Sequence, residues 1–300
     1  MHAKKIFETA NPAELPELRA VNVIGPNHKV IQGFKGIERM DTKEVISIMS
    51  ERYGLVQHRF VADMVTEIAQ AFPQPDVSKL GWDTGSEAGD VRARAGIMRY
   101  AVPHYALYDH GRKLDARLVI GDKHKLQDGE EFYPGVRIRN SLDGTLSVRV
   151  MGFALRLGCT NQLHVGSRAQ ITDLRQLHLA SNVDLLAQIQ KGIYEFLDKF
   201  DSMLDIYNDA MNTEIDGADV EPALISTGMP KVHARVIGDR CDALTSHNIM
   251  MPCWEAYQVA TGYITHEVEV SPTRQSQFER AAASALLLTE ESSGSELAEA

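Results

Sequence analysis

Two hydrophobic periods divide this chain. Between residues 91 and 165 apolar and polar positions alternate in steps of two, which predicts strands over 92–108, 116–121, 133–139 and 145–157. Asp109-His110-Gly111 supplies the turn between the first pair. Beyond residue 180 the period lengthens. Leu186, Ile189, Ile193, Phe196, Phe200, Met203 and Tyr207 recur at alternating steps of three and four, a seam that predicts one long amphipathic helix over 182–211. Ser181, with Asp184 three residues on, suits its N-terminal cap. A helix of that length can lie across a whole sheet or pack on a neighbouring subunit.

The flanks carry weaker patterns. Residues 1–40 are punctuated by Gly and Pro and predict short strands at 21–24 and 29–34. Asp41-Thr42-Lys43-Glu44 has the spacing of a capping box and predicts a short helix running to Ser50. A strand at 53–56 precedes a helix at 58–72 with Val61, Met64, Val65, Ile68 and Ala69 on one stripe, stopped by Pro73 and Pro75. Gly81, Gly85 and Gly89 place an exposed loop at 76–90. Further helices are predicted at 220–226, 248–263 and 272–288. The segment 289–300 has four Glu and no base, and reads as a disordered acidic tail able to contact a host or phage protein. The fold class is therefore α+β: a mostly antiparallel β-meander, then a long amphipathic helix, then C-terminal helices, in one domain over 1–288.

Composition narrows the setting. No run approaches the roughly 18 apolar residues of a membrane span, and the start, MHAKKIFETA, lacks the apolar stretch of a secretory signal. Three cysteines, Cys159, Cys241 and Cys253, are too few and odd in number for a disulfide framework, which points to a reducing, cytoplasmic location. The net charge is −10. Residues 91–168 nevertheless hold 13 Lys or Arg against 7 Asp or Glu, a net of +6, so the remainder stands at −16. A basic middle in an acidic shell suits an anionic ligand at one site.

Residues 133–153, YPGVRIRNSLDGTLSVRVMGF, carry the functional expectation. Leu142-Asp143-Gly144 suits a three-residue hairpin loop with Gly144 in the left-handed region. That turn would set Arg139 opposite Ser147 and Arg137 opposite Arg149. One face would then show Arg137, Arg139, Ser141, Thr145, Ser147 and Arg149 to solvent, with Tyr133 and Phe153 joining it. Like charges directly opposed cost a few tenths to ~1 kcal/mol, so the pair calls for an anionic ligand or an offsetting acid; neither strand supplies one on this face, though the neighbouring strand could. Guanidiniums beside aromatic rings are the equipment of single-strand binding, phosphates taking the charge and bases stacking on the rings. Arg92, Arg94, Lys123 and Lys125 would extend the track.

Other chemistry has little footing in the sequence. GxxxxGK[ST], a strand-borne GxGxxG and HExxH are missing. Cys241, His247 and Cys253 do not have the spacing of a zinc knuckle. Cys159-Thr160-Asn161 has the look of a nucleophile turn but no histidine partner defined by spacing.

Asn140-Ser141-Leu142-Asp143-Gly144, followed by Arg156-Leu157-Gly158-Cys159-Thr160-Asn161, resembles motifs of the phage- and plasmid-borne family called domain of unknown function 932. Arg52-Tyr53-Gly54-Leu55-Val56-Gln57-His58 is similar to that family's earlier strand before a helix, and Trp254 to His266-Glu267 to its C-terminal helix. The resemblance implies a mobile-element origin and no settled activity. The order of meander and long helix is similar, as fold-level analogy, to Rad52-like annealing proteins.

Three functions follow as alternatives. The first is an oligomeric, ATP-independent protein that binds and anneals single-stranded DNA, with no cofactor and no metal. In it Arg137, Arg139 and Arg149 hold phosphates, and Tyr133 or Phe153 stacks bases. The second is an interaction protein that binds a host protein without nucleic-acid activity. The third is an enzyme using Cys159 or the histidines.

Overall fold

Asp109, His110 and Gly111 all take positive φ, between 52° and 80°, and reverse the chain in the turn predicted for them. The computed structural model describes residues 5–75, 101–145, 148–156, 162–163, 170–173, 183–245, 250–270 and 272–287. The predicted loop at 76–90, Arg92, Arg94, Ser181, Cys159 and the tail 289–300 lie outside the described residues.

The first half of the chain is mostly strand. It runs β1 (Lys5–Thr9), β2 (Leu18–Ile24), β3 (Val30–Arg39), β4 (Val45–Ser50) and helix α1 (His58–Ala71), then β5 (His104–Tyr108), β6 (Lys113–Val119), β7 (His124–Lys125), β8 (Glu131–Ser141) and β9 (Arg149–Arg156). Short β10 (Gln162–Leu163) and β11 (Gln170–Asp173) follow. Helices α2 (Val183–Asp198), α3 (Phe200–Asn212), α4 (Gly217–Ser226), α5 (Lys231–Thr245), α6 (Cys253–His266) and α7 (Pro272–Leu286) make up most of the rest, with β12 (Glu214–Ile215) and β13 (Met251–Pro252) forming a small pair. The chain is α+β, with antiparallel sheets in the N-terminal half and helices mostly C-terminal.

The main sheet has the order β1-β5-β6-β8-β9-β10, and β11 also pairs with β9 and β7 with β8. Every pairing is antiparallel. One face carries Leu114, Ala116, Leu118, Val136, Ile138 and Val150, and packs on Val61, Met64, Val65 and Ile68 of α1 and on Ile189 and Ile193 of α2. The period-two pattern thus fixes which side of β6 and β8 meets the period-3.6 stripes of two helices.

The long helix is broken once. Lys199, at φ −95° and ψ 0°, separates α2 from α3. The apolar seam runs on through the break: Phe196, Phe200, Met203 and Tyr207 enter a second core with Trp254 and Tyr257 of α6 and Phe278 of α7. From Ile189 to Tyr207 the seam is internal packing.

Three local expectations are corrected. Val45–Ser50 is a strand, not a helix. Asp41 makes two hydrogen bonds with the Arg39 guanidinium, at 3.0 and 2.6 Å, and accepts from Thr42 N at 2.8 Å. It therefore braces the turn from β3 to β4 instead of capping a helix. Residues 53–56 form no strand. Lys231–Thr245 is an unpredicted helix, α5.

Candidate functional site

The β8–β9 hairpin differs from expectation in register and in environment. Arg139 faces Arg149, Ile138 faces Val150, and Arg137 faces Met151. The strands therefore pair two residues out from the predicted register. Gly144 does take a left-handed conformation, φ +72°. A shift of two keeps every side chain on its predicted face. That face is not a solvated surface.

Register across β6 explains why. Arg117 stands opposite Arg137, and Asp115 opposite Arg139. Arg137, Arg139 and Asp115 are only 2%, 7% and 3% exposed. The Asp115 carboxylate accepts from Arg137 Nε at 2.9 Å and Nη2 at 2.5 Å, and from Arg117 Nε and Nη2, both at 3.1 Å. Arg139 Nε lies 3.7 Å from the same carboxylate. Ser276 of α7 closes the cluster, its Oγ accepting from Arg137 Nη1 at 3.2 Å and Arg139 Nη2 at 2.6 Å.

Burial would raise the Asp115 carboxyl, but the three guanidiniums overrule it and hold it well below the usual carboxylate range. Burial, with Arg137 adjacent, pulls the Arg139 guanidinium down to about 9, still high enough to keep its proton at neutral pH. The acid that the two hairpin strands lack comes from the neighbouring strand. Arg137 and Arg139 join a strand–helix contact and cannot reach a phosphate in this arrangement.

Among the described residues, the other predicted site residues do not converge. Tyr133 and Phe153 are buried together with Val119 and Leu155. The Phe153 ring lies against the bare backbone of Gly135, so it is a packing element here. Arg149 is half-buried. Lys123 and Lys125 are 48% and 62% exposed, and both bridge to Glu131, at 2.7 and 3.3 Å. They stand at β7, away from the arginine rows.

Two of the motif segments meet in space. Asn140 Nδ2 donates to Val56 O at 2.8 Å and lies 3.2 Å from His58 Nδ1. Tyr53 Oη donates to Ser141 O at 3.0 Å. His58 Nε2 reaches Gly111 O at 3.0 Å. These bonds tie the start of α1 to the end of β8 and to the β5–β6 turn. Burial pushes the His58 imidazole down to about 4, only partly opposed by the Gly111 carbonyl, so the ring is neutral at physiological pH. Motif residues at this junction have a structural task.

The most accessible apolar surface lies elsewhere. Strands β2, β3 and β4 form a separate three-stranded sheet. Its inner face, with Leu18, Ile37 and Ile46, packs on Leu142, and Ser47 Oγ donates to Leu142 O at 2.9 Å. On the outer face Phe34 pairs with Ser50 and Gly36 with Ile48, and the Val21 and Val45 side chains close over Gly36. Among the described residues twelve large apolar side chains are exposed, and seven of them fall between Ile24 and Ile48: Ile24, Val30, Ile31, Phe34, Met40, Val45 and Ile48. Sequence reasoning missed this surface by taking 45–50 for a helix. A bulge at Ile46, between the Ile37–Ser47 and Glu38–Val45 pairs, turns Ile46 inward while Ile48 stays outside, which simple alternation of VISIMS could not show.

Among the described residues no group of three or more His, Cys, Asp or Glu is placed to hold a metal ion. Among them, no helix is long and apolar enough to cross a membrane.

An antiparallel meander covered on one face by α1 and α2 and continued by a helical C-terminal part defines an α+β class of protein. The sequence pattern of the family described as Domain of unknown function (DUF932) matches residues 45–286, and the chain belongs to that family. No curated protein and no solved structure matches it, so the likeness to Rad52-like annealing proteins gains no support.

Proposed function

We propose that this chain is a binding protein that engages a protein partner through the outer face of β2–β3–β4. The exposed Phe34, Val45 and Ile48, which the register places together on that face, carry the reading. Contiguous apolar patches of several hundred Å² are uncommon on monomers and mark interaction sites. The strands beneath are anchored through Ile37, Ile46 and Leu142, so the surface is presented on a fixed support. Aliphatic side chains dominate it, which suits a protein partner better than the aromatic and cationic face that unpaired bases require. A cytoplasmic setting agrees with Cys241 and Cys253, both buried free thiols.

The test is affinity capture from a bacterial lysate, with the full chain and with a Phe34→Asp, Ile48→Lys variant as baits. The reading predicts a protein retained by the first and lost by the second. Identical captures would contradict it.

Single-stranded DNA binding, with annealing, is the second reading. It keeps the support of the +6 balance over residues 91–168 and of Lys123 and Lys125, both exposed and both bridged to Glu131. Its phosphate track would have to run over such surface cations and not over Arg137 and Arg139. Titration of labelled oligonucleotides across a salt series separates the readings. DNA binding through n phosphates gives a slope of log K against log salt near −0.7n for single strands. Changing Lys123 and Lys125 to Ser should then flatten it by up to about 1.4 units.

A further inference from the structure

We propose that Tyr207 and Tyr257 form an internal water-binding site in the helical core, the bound water bridging both phenol oxygens to the Glu279 carboxylate. The proposal stands apart from the reading of the β2–β3–β4 face and does not depend on it.

Tyr207 comes from α3 and Tyr257 from α6, and both side chains are wholly buried. Aromatic rings surround them. The Tyr207 ring lies 6.1 Å from Phe132, 5.2 Å from Trp254 and 6.4 Å from Tyr257, centroid to centroid. Tyr257 stands 6.0 Å from Trp254 in turn. This packing accounts for the rings but not for the hydroxyls. Among the described residues neither phenol oxygen has a hydrogen-bond partner. A buried tyrosine hydroxyl ordinarily finds one, because an O–H left without one forfeits the bonds it made to water in the unfolded chain. Two such hydroxyls on neighbouring rings mark one polar locus inside an apolar core.

The surroundings define what serves them. The two rings are inclined by 28° at 6.4 Å and their hydroxyls do not bond each other, so a bridging group is needed. It must be small, since packed rings flank it, and it must both donate and accept. Glu279 of α7, 3% exposed, supplies a further partner. Its Oε1 accepts from Gln275 Nε2 at 2.9 Å, which fixes the carboxylate. Burial, then Tyr207, then Glu279 push the Tyr257 phenol well up, so the three groups act on one another.

A carboxylate only accepts, whereas a phenol does either. The water therefore donates one hydrogen to Glu279 and one to a phenol oxygen, and accepts from the other phenol. Three partners is the usual number for an internal water. Ser276, three residues before Glu279 on the same helix, already serves Arg137 and Arg139. The water thus carries the polar network of the sheet into the helical core.

A high-resolution crystal structure of the full chain, with urea unfolding of two variants, tests the proposal. The density should show an ordered water within about 3.2 Å of both phenol oxygens and of a Glu279 carboxylate oxygen. Tyr207→Phe and Tyr257→Phe keep the rings and remove only the oxygens. Each should lower the folding equilibrium constant by roughly three- to tenfold. The double variant should lose less than the product of the two, since both losses act through one water.

Wild-type density with no water between the phenols overturns the proposal, even where a variant does not fold. Phe variants as stable as the wild type, or more stable, overturn it too, because that is the outcome for hydroxyls that nothing serves. Losses that multiply in full would give each phenol a separate partner and overturn the shared site.

Discussion

Asp115 Oδ2 and Arg137 Nη2 stand 2.5 Å apart with both side chains almost wholly inside the protein. Arg117 and Arg139 share the same carboxylate. Removing one member of a buried ion cluster strands the others, so Asp115→Asn should cost about 3–5 kcal/mol, measured by urea unfolding. A joint Asp115→Leu, Arg137→Met change should cost less than Asp115→Asn alone, because it removes both charges. A loss below about 1 kcal/mol in Asp115→Asn would contradict the cluster.

The same carboxylate gives a pH signature. Its folded value is held well below the ordinary one, so its contribution is complete above the unfolded value of about 3.9 and is lost as pH falls through the folded value. Wild-type stability should therefore fall below about pH 4. That acid limb should be shallower in Asp115→Asn.

Much of this was legible in the sequence, and the gaps have physical causes. Alternation placed Arg137, Arg139 and Arg149 on one face correctly, because a shift of two residues does not change the face. What covers that face could not be read from it. Ser276 reaches Arg137 from 139 residues away, and Asp115 comes from a strand whose pairing depends on the whole meander. The seam of α2 and α3 was readable because tertiary packing uses it along its length. Helix α5 was not, because Val232 and Leu244 face solvent and blur its stripe. Asp41 and Glu44 mimic a cap by spacing alone; the Arg39 guanidinium decides otherwise.

His58 should give a second titration with the same direction and a higher range. Its folded value is lowered by burial to about 4, against an unfolded value near 6.5. Stability is therefore complete above about pH 6.5 and falls between there and pH 4, by roughly 3 kcal/mol in all. The urea midpoint of a His58→Asn variant should be lower at neutral pH and flatter across that window. A wild-type midpoint constant from pH 7 to pH 4.5 would contradict a buried neutral His58.

Gly152 meets the Phe196 ring where β9 passes under α2, and a methyl at this position would run into that ring. Gly152→Ala should destabilise by about 1–3 kcal/mol through overpacking. Adding Phe196→Leu should recover part of the loss, giving a coupling visible in a double-mutant cycle. Strict additivity would mean that the contact is slack.

The central claim concerns the outer face of β2–β3–β4, and hydrogen–deuterium exchange reads it most directly. Exchange is followed in the full chain alone, and again with its captured protein partner bound. The account predicts slower exchange over Val30–Arg39 and Val45–Ser50, with α5 unchanged as the internal control. Protection that appears elsewhere while both strands exchange as before would contradict it.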